Sequence, residues 1–216
     1  MKFIQKNTPP QEFVLYSQKP TASYEDLGKK RKNRRIKALT KLSLAKEQGF
    51  ICCYCGRRIT GKGEETQIEH IWPKGSPYYE SMQLDYTNNL IACCDGGKGD
   101  RKSDKTLPSS VLHCDTPKHD IPIPVNPLMS NCEKKFVYDK NGDVLGIGSD
   151  AEVTIKILNL TSPLLKNKRK AAIKAYSYLP SIDWKDEYKR LNQKDSSGHY
   201  AEFCFVRRIY IYFYHI

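Results

Sequence analysis

Cys52-Cys53-Tyr54-Cys55 is the stretch on which a reading of this chain turns. Cys52 and Cys55 have the spacing that lets two thiolates from one tight turn reach the same tetrahedral zinc. Alone, the pair also suits a redox couple or chance. Further soft ligands follow at Cys93-Cys94 and His113-Cys114. Residues 50 to 119 are rich in turn-forming residues, so metal binding rather than a large apolar core is expected to organise them. Cys52, Cys55, Cys94 and Cys114 are read as a closed structural Zn2+ site, with Cys93 the alternative to Cys94. Cys132 and Cys204 lie away from this cluster and read as core thiols.

The whole chain agrees with that reading. Its 216 residues suit one domain with appendages or two small ones. A hydrophobic fraction of 39% and a mean hydropathy of -0.64 describe a globular chain, and no stretch approaches the roughly 18 apolar residues of a spanning helix. Met1-Lys2-Phe3-Ile4-Gln5-Lys6 is too polar to open a signal peptide, so a cytoplasmic location is expected. That compartment keeps thiols reduced, which turns eight cysteines towards metal rather than disulfides. A net charge of +12 makes a polyanion the natural partner, because Lys and Arg displace counterions condensed on phosphates.

Outward from the cysteines, the prolines at 9, 10 and 20 make Lys2 to Lys19 read as extended, and Ser23-Tyr24-Glu25-Asp26 as a capping box opening a helix. In that helix Ile36, Leu39, Leu42 and Ala45 share one face before Gly49 stops it. The run from Lys29 to Lys37 supplies a basic face, either phosphate-gripping or merely solvated. Asn141-Gly142 breaks an alternating stretch as a hairpin turn would. Ser149-Asp150-Ala151-Glu152 predicts a capped helix facing the core with Val153, Ile157 and Leu160. A further helix is expected from Pro163 to Tyr178, ending before Pro180. Phe203 to Ile216 reads as helix or strand.

Between the cysteine pairs stand Gln67-Ile68-Glu69-His70-Ile71-Trp72-Pro73-Lys74 and Asp85-Tyr86-Thr87-Asn88-Asn89-Leu90-Ile91-Ala92-Cys93-Cys94. An acid-His pair, an Asn-Leu before a Cys and an upstream C-x-x-C together resemble the HNH endonucleases. The stretch from Met1 to Leu160 resembles more closely the PtuB-type HNH proteins of bacterial anti-phage Septu and retron systems. That likeness rests on Met1 to Lys6, the Cys-x-Tyr-Cys turn, Ile68-Glu69-His70, Asn89-Leu90, His113-Cys114-Asp115-x-x-Lys118 and Thr154-Ile155-Lys156-Ile157-Leu158-Asn159-Leu160.

The resemblance implies a zinc-stabilised ββα-metal core with His70 as general base and Asn89 holding the loop that presents it. A neutral imidazole can take a proton from attacking water near neutral pH. Glu69 offers a hard oxygen to a catalytic Mg2+ or Mn2+, and Asp115, at the third motif position, could join it. Asn88 and His119 are the respective alternatives to Asn89 and Asp115. The Gly-rich run from Asp95 to Lys105 reads as a mobile loop, in which Lys98, Arg101 and Lys102, together with Lys118 beyond it, are candidates for contact with a nucleic-acid backbone. His199 and His215 read as structural or exposed, and Trp72 and Tyr86 as packing residues.

The expected fold is α+β: residues 1-44 an N-terminal segment with the basic helix, 45-120 the nuclease core, and 121-216 a hairpin and C-terminal helical region, together one compact unit. The expected function is a metal-dependent endonuclease hydrolysing DNA phosphodiesters. The resemblance adds an effector role in phage defence beside a PtuA-type ATPase. A ribonuclease cleaving structured RNA such as tRNA, and a zinc-bearing nucleic-acid binding module without catalysis, are the rivals. No membrane partner is expected. The aromatic tail after Phe203 packs on the core or docks the partner.

Overall fold

The structure, a computed structural model, describes residues 1-179 and 181-216. It mixes helices with two small antiparallel sheets. No helix among the described residues is long and apolar enough to cross a membrane. In chain order the elements are α1 (Gln11–Ser17), α2 (Arg31–Glu47), β1 (Thr66–His70), β2 (Leu90–Cys94), α3 (Lys98–Ser103), α4 (Asp115–Lys118), β3 (Phe136–Tyr138), β4 (Val144–Gly146), α5 (Ser149–Ile157), α6 (Pro163–Lys174), α7 (Trp184–Arg190) and α8 (Cys204–Tyr214).

The first pair of strands carries the motif residues. β1 and β2 run antiparallel with Glu69 opposite Ile91 and His70 opposite Leu90. Every residue of β2 is buried, as a strand covered on both faces must be. One cover is α2, whose Gln48 cap residue accepts from the Ala92 N–H at 2.7 Å and donates back to the Ala92 carbonyl at 2.8 Å. Because α2 runs from 31 to 47, the expected boundary between residues 44 and 45 falls inside a helix. The C-terminal part closes the other end, with Tyr200 N–H donating to the Gly49 carbonyl and Phe203 N–H to that of Gly56. Gly56 has φ +81, and a Cβ there would come within 2.7 Å of the Phe205 ring, so this contact requires glycine.

Several sequence expectations need correction. Residues 2 to 19 are not extended throughout: α1 starts directly after Pro10, whose preset φ suits a helix entrance, and buries Phe13 and Tyr16 on one side. Ser23 does receive the Asp26 N–H at 3.1 Å, but this opens only a short 3-10 turn, and α2 begins later at Arg31. The Ser149 box does not close, since Glu152 accepts from the Gly146 N–H instead. The buried face of α5 is Ala151, Thr154 and Ile155, and Val153 is exposed. Residues 51 to 92 are also far more apolar in packing than their turn content suggests, with Ile51, Tyr54, Ile59, Ile71, Leu90 and Ile91 all in the core.

Other expectations hold. Asn141-Gly142 turns the β3–β4 hairpin, with Gly142 at φ +81, and α2 ends where Gly49 takes φ +62. The tail after Phe203 is helix α8. Helix α6 gives way to a 3-10 turn at Ala175–Tyr178, and the Pro180 expected as the stop lies outside the described residues. α7 has a capping signal the sequence reading passed over, with Asp183 accepting from the backbone of Lys185 and Asp186.

Candidate metal centre and active site

Three chain segments deliver the cysteines. The tight turn after Ile51 brings Cys52 and Cys55, the end of β2 brings Cys94, and Cys114 stands immediately before α4. Their sulfurs lie within 4.8 Å of one another, all four buried. Cys52 and Cys114 are 3.9 Å apart and Cys55 and Cys94 3.8 Å. A tetrahedron with zinc–sulfur bonds of about 2.3 Å has edges of about 3.8 Å, so the four thiols already stand near zinc-site spacing. The donor set therefore fits a metal ion such as zinc, and these are the residues expected from the sequence. Cys93, 3.7 Å from Cys52, belongs instead with Cys52 and Cys53, a second buried group of three sulfurs. Cys132 and Cys204 are buried elsewhere in the core.

Cys114 takes φ +60, a costly conformation for a residue with a Cβ. Its N–H donates to the Leu158 carbonyl at 2.8 Å, which helps hold the sulfur in the cluster. A cation flanks the four sulfurs. Arg57, its guanidinium held even more firmly charged by Cys94 and Cys55, stands beside them and pairs with Asp100 at 2.9 Å. His113, with Nδ1 3.1 Å from the Cys114 sulfur, is driven down to about 4 by burial.

The second cluster begins on β1. His70 is 5% exposed, and burial lowers its imidazole to about 4, so the ring is neutral at pH 7. Its Nε2 lies 3.1 Å from the Gln83 carbonyl oxygen, which can only accept. Nε2 therefore carries the hydrogen, leaving Nδ1 with the lone pair. The edge of His70 meets the Tyr24 ring at 4.4 Å between centroids.

Asn89 is fully buried and ties the loop after β1. Its Oδ1 accepts from the Trp72 N–H at 2.7 Å, and its Nδ2 donates to the carbonyls of Met82 and Trp72 at 2.8 and 3.2 Å. Asn88 is exposed and bonded to Asp85, so of the two asparagines Asn89 is the one that ties this loop. The Gln83 carbonyl that fixes His70 is one residue beyond Met82, so Asn89 holds the loop that positions the imidazole.

Glu69 is buried on the same strand. It accepts from the Tyr54 hydroxyl at 3.0 Å and from the Lys118 ammonium at 2.9 Å. Burial first, then the neighbouring Asp115 carboxylate, push the Glu69 carboxyl up to about 8 against the opposing pull of Lys118. The buried Glu69 thus feels the half-buried Asp115 carboxyl, which opposes its charge, and the Lys118 ammonium, which favours it. His119 is exposed, so Asp115 is the residue brought to Glu69. Among the described residues, no set of three closely spaced metal donors includes Glu69, His70 or Asp115.

Lys118 needs correction. Expected at a nucleic-acid surface, it is 1% exposed and holds Glu69 and, at 2.9 Å, the His70 carbonyl. Its position three residues after Asp115 on α4 is the sequence signal that puts both side chains near one strand end. The loop from Asp95 is not without structure either: Asp95 accepts from the Gly97 and Gly99 N–H groups, α3 follows, and Asp100 pairs with Arg57 and Lys168. Lys98 and Lys102 are exposed on α3, and Arg101 is half-buried with its Nε donating to the Leu107 carbonyl.

Tyr54, Tyr24 and Gln83 were not singled out as site residues. Tyr54 lies inside the cysteine turn, where its place between two ligands was the available signal. Tyr24 and Gln83 reach His70 only through the fold. Trp72 packs on Tyr79, Tyr86 is buried with its hydroxyl on Ser43, His199 stacks on Phe50 and His215 on Trp184. No protein-family model matches the chain, and no curated protein matches it.

Proposed function

We propose that the protein is a metal-dependent nuclease of the HNH type, hydrolysing phosphodiester bonds with His70 as general base. The observation that supports the reading is the tautomer of His70: with Nε2 donating to the Gln83 carbonyl, Nδ1 keeps the lone pair that a general base requires. Asn89 keeps that carbonyl in place through the loop it ties. Glu69 and Asp115 are the hard-oxygen donors beside it that would hold Mg2+ or Mn2+. Such a cation, when bound, supplies Lewis-acid stabilisation to the scissile phosphate and the departing oxygen. Lys118 pairs with the Glu69 carboxylate and fixes its position.

Zinc at Cys52, Cys55, Cys94 and Cys114 would anchor both ends of this assembly, since Tyr54 projects from the cysteine turn onto Glu69 and Asp115 directly follows Cys114. DNA is the substrate proposed first, with structured RNA second. The resemblance to PtuB-type proteins extends the proposal to a cytoplasmic phage-defence effector working with a PtuA-type ATPase.

Purified zinc-loaded protein, with and without that ATPase, is to be incubated with duplex DNA, single strands and total tRNA in Mg2+ or Mn2+. The expected result is DNA cleavage that falls on the order of 100- to 10,000-fold in His70→Ala, with zinc content retained. Cleavage of tRNA alone would move the assignment to ribonuclease. Unchanged cleavage in His70→Ala would remove the catalytic role, and a Cys55→Ala variant that alone loses nucleic-acid binding would leave a zinc-bearing binding module.

A further inference from the structure

Helix α2 and the turn after Ile59 enclose a groove of about 580 Å³. Arg34, Arg35, Lys37 and Lys41 line it from the helix and Lys62 from the turn. Arg34, Lys37 and Lys41 recur at i, i+3 and i+7, one stripe of an α-helix. At 1.5 Å rise per residue they are spaced by about 4.5 and 6 Å along the axis, a repeat short enough to meet successive phosphates of one strand. Leu39 and Leu42 form the apolar floor.

The turn is built to approach the helix. Gly61 has φ +73, and a Cβ there would stand 3.0 Å from Ala45 and 3.1 Å from Leu42. Across the groove the Lys41 ammonium donates to the Gly63 carbonyl at 2.7 Å.

The charge of this groove is uncompensated. Among the described residues, none of its five cations has a carboxylate oxygen within 4 Å, whereas Lys29, just before the same helix, pairs with Glu25 and Asp26. Lys37 is lowered by burial and by Lys74, and Lys41 by burial and by Lys37, as expected of ammonium groups crowded without counter-charge. The row also leads somewhere. The Lys37 and Lys74 ammoniums lie 4.9 and 5.7 Å from the centre of the Tyr24 ring, whose other neighbour is His70.

We infer that the α2 groove is a phosphate track, holding the sugar–phosphate backbone of a nucleic-acid strand whose continuation passes Lys37 and Lys74 towards His70. A concave groove rimmed by five cations over an apolar floor fits a narrow strand better than a flat anionic bilayer. Only the final step, delivery to His70, rests on the nuclease reading; strand binding in the groove stands apart from it.

The test uses full-length zinc-loaded protein carrying His70→Ala, without Mg2+ or Mn2+, and fluorescence anisotropy of a labelled DNA duplex and a labelled single strand across a salt series. The triple variant Arg34→Gln, Lys41→Gln, Lys62→Gln is expected to bind on the order of 10- to 100-fold more weakly near physiological salt. Its plot of log affinity against log salt should lose about two to three units of slope. Lys134→Gln, Lys140→Gln, Lys170→Gln, removing equal charge from exposed sites elsewhere, should change affinity less than about threefold. Single Lys62→Glu, at an exposed turn, repeats the test should the triple variant fold poorly. Equal losses in both triples, or no loss in the groove variants, would overturn the track. So would binding of anionic phosphatidylserine vesicles through these residues with none to nucleic acid. Strand binding that needs the groove, in a protein whose His70-intact form cleaves nothing, would instead overturn the nuclease reading and keep the track.

Discussion

The sulfur cluster and the acidic-histidine cluster are next-door neighbours built on opposite principles. Cys52, Cys55, Cys94 and Cys114 offer four identical donors near the geometry of one ion, with no alternative partner able to neutralise all of them. Glu69, His70 and Asn89 are partnered by protein groups: Glu69 by Tyr54 and Lys118, His70 Nε2 by the Gln83 carbonyl, Asn89 by three backbone groups. The four close thiols offer a donor set for a metal ion such as zinc. The second cluster is built instead from internal hydrogen bonds and the ion pair of Glu69 with Lys118. The two are joined by Tyr54 and by Cys114-Asp115.

The contrast breaks most visibly at the cysteines. Cys114→Ala is expected to lose the bound zinc and to lower the melting temperature by on the order of 10 to 20 °C, matching a loss of roughly 5 kcal/mol in a chain of this size. Metal analysis beside calorimetry reads both, and full stability with no zinc would show that packing alone holds the cluster.

Lys118→Met probes the other side. It leaves the buried Glu69, beside the half-buried Asp115, without its ammonium, a loss on the order of 3 kcal/mol in chelator-treated buffer containing zinc-saturated protein. Added Mn2+ should restore part of the melting temperature if Glu69 and Asp115 can accept a divalent cation in its place. Destabilisation that Mn2+ leaves untouched would mark the pair as purely structural.

Asn89→Ala gives the smallest stability change, about 2 kcal/mol from three lost hydrogen bonds offset by relaxation of the loop. Because that loop carries the Gln83 carbonyl, cleavage should fall further than stability does, with substrate affinity near wild type. Equal preservation of turnover would detach Asn89 from the positioning of His70.

Legibility in the sequence differed between these regions for a physical reason. Ligand spacing within Cys52-x-x-Cys55 is a local property, so the turn could be read directly, and Cys94 and Cys114 were correctly paired with it. Asn141-Gly142 and Gly49 were legible likewise, because a positive φ has few residue choices. Of the face expected at Val153, Ile157 and Leu160, Leu160 is buried and Ile157 packs on the core, but Val153 is exposed because α5 turns Ala151, Thr154 and Ile155 inward. Lys118 looks like one more surface cation in a chain of net charge +12, and its spacing from Asp115 is the sole local sign of a partner 49 residues earlier.

By itself the sequence determined the cysteine donor set, the net charge of +12 and the order of Glu69-His70, Asn89 and Asp115, all of which follow from residue type and short spacing. Tertiary structure alone decided which asparagine is buried, which nitrogen of His70 is basic, that Lys118 faces inward, and that the cations of α2 open onto a groove beside Tyr24. Those outcomes depend on desolvation and on partners brought together from distant segments. The same side chain is a solvated charge or an internal counter-ion according to what packs over it.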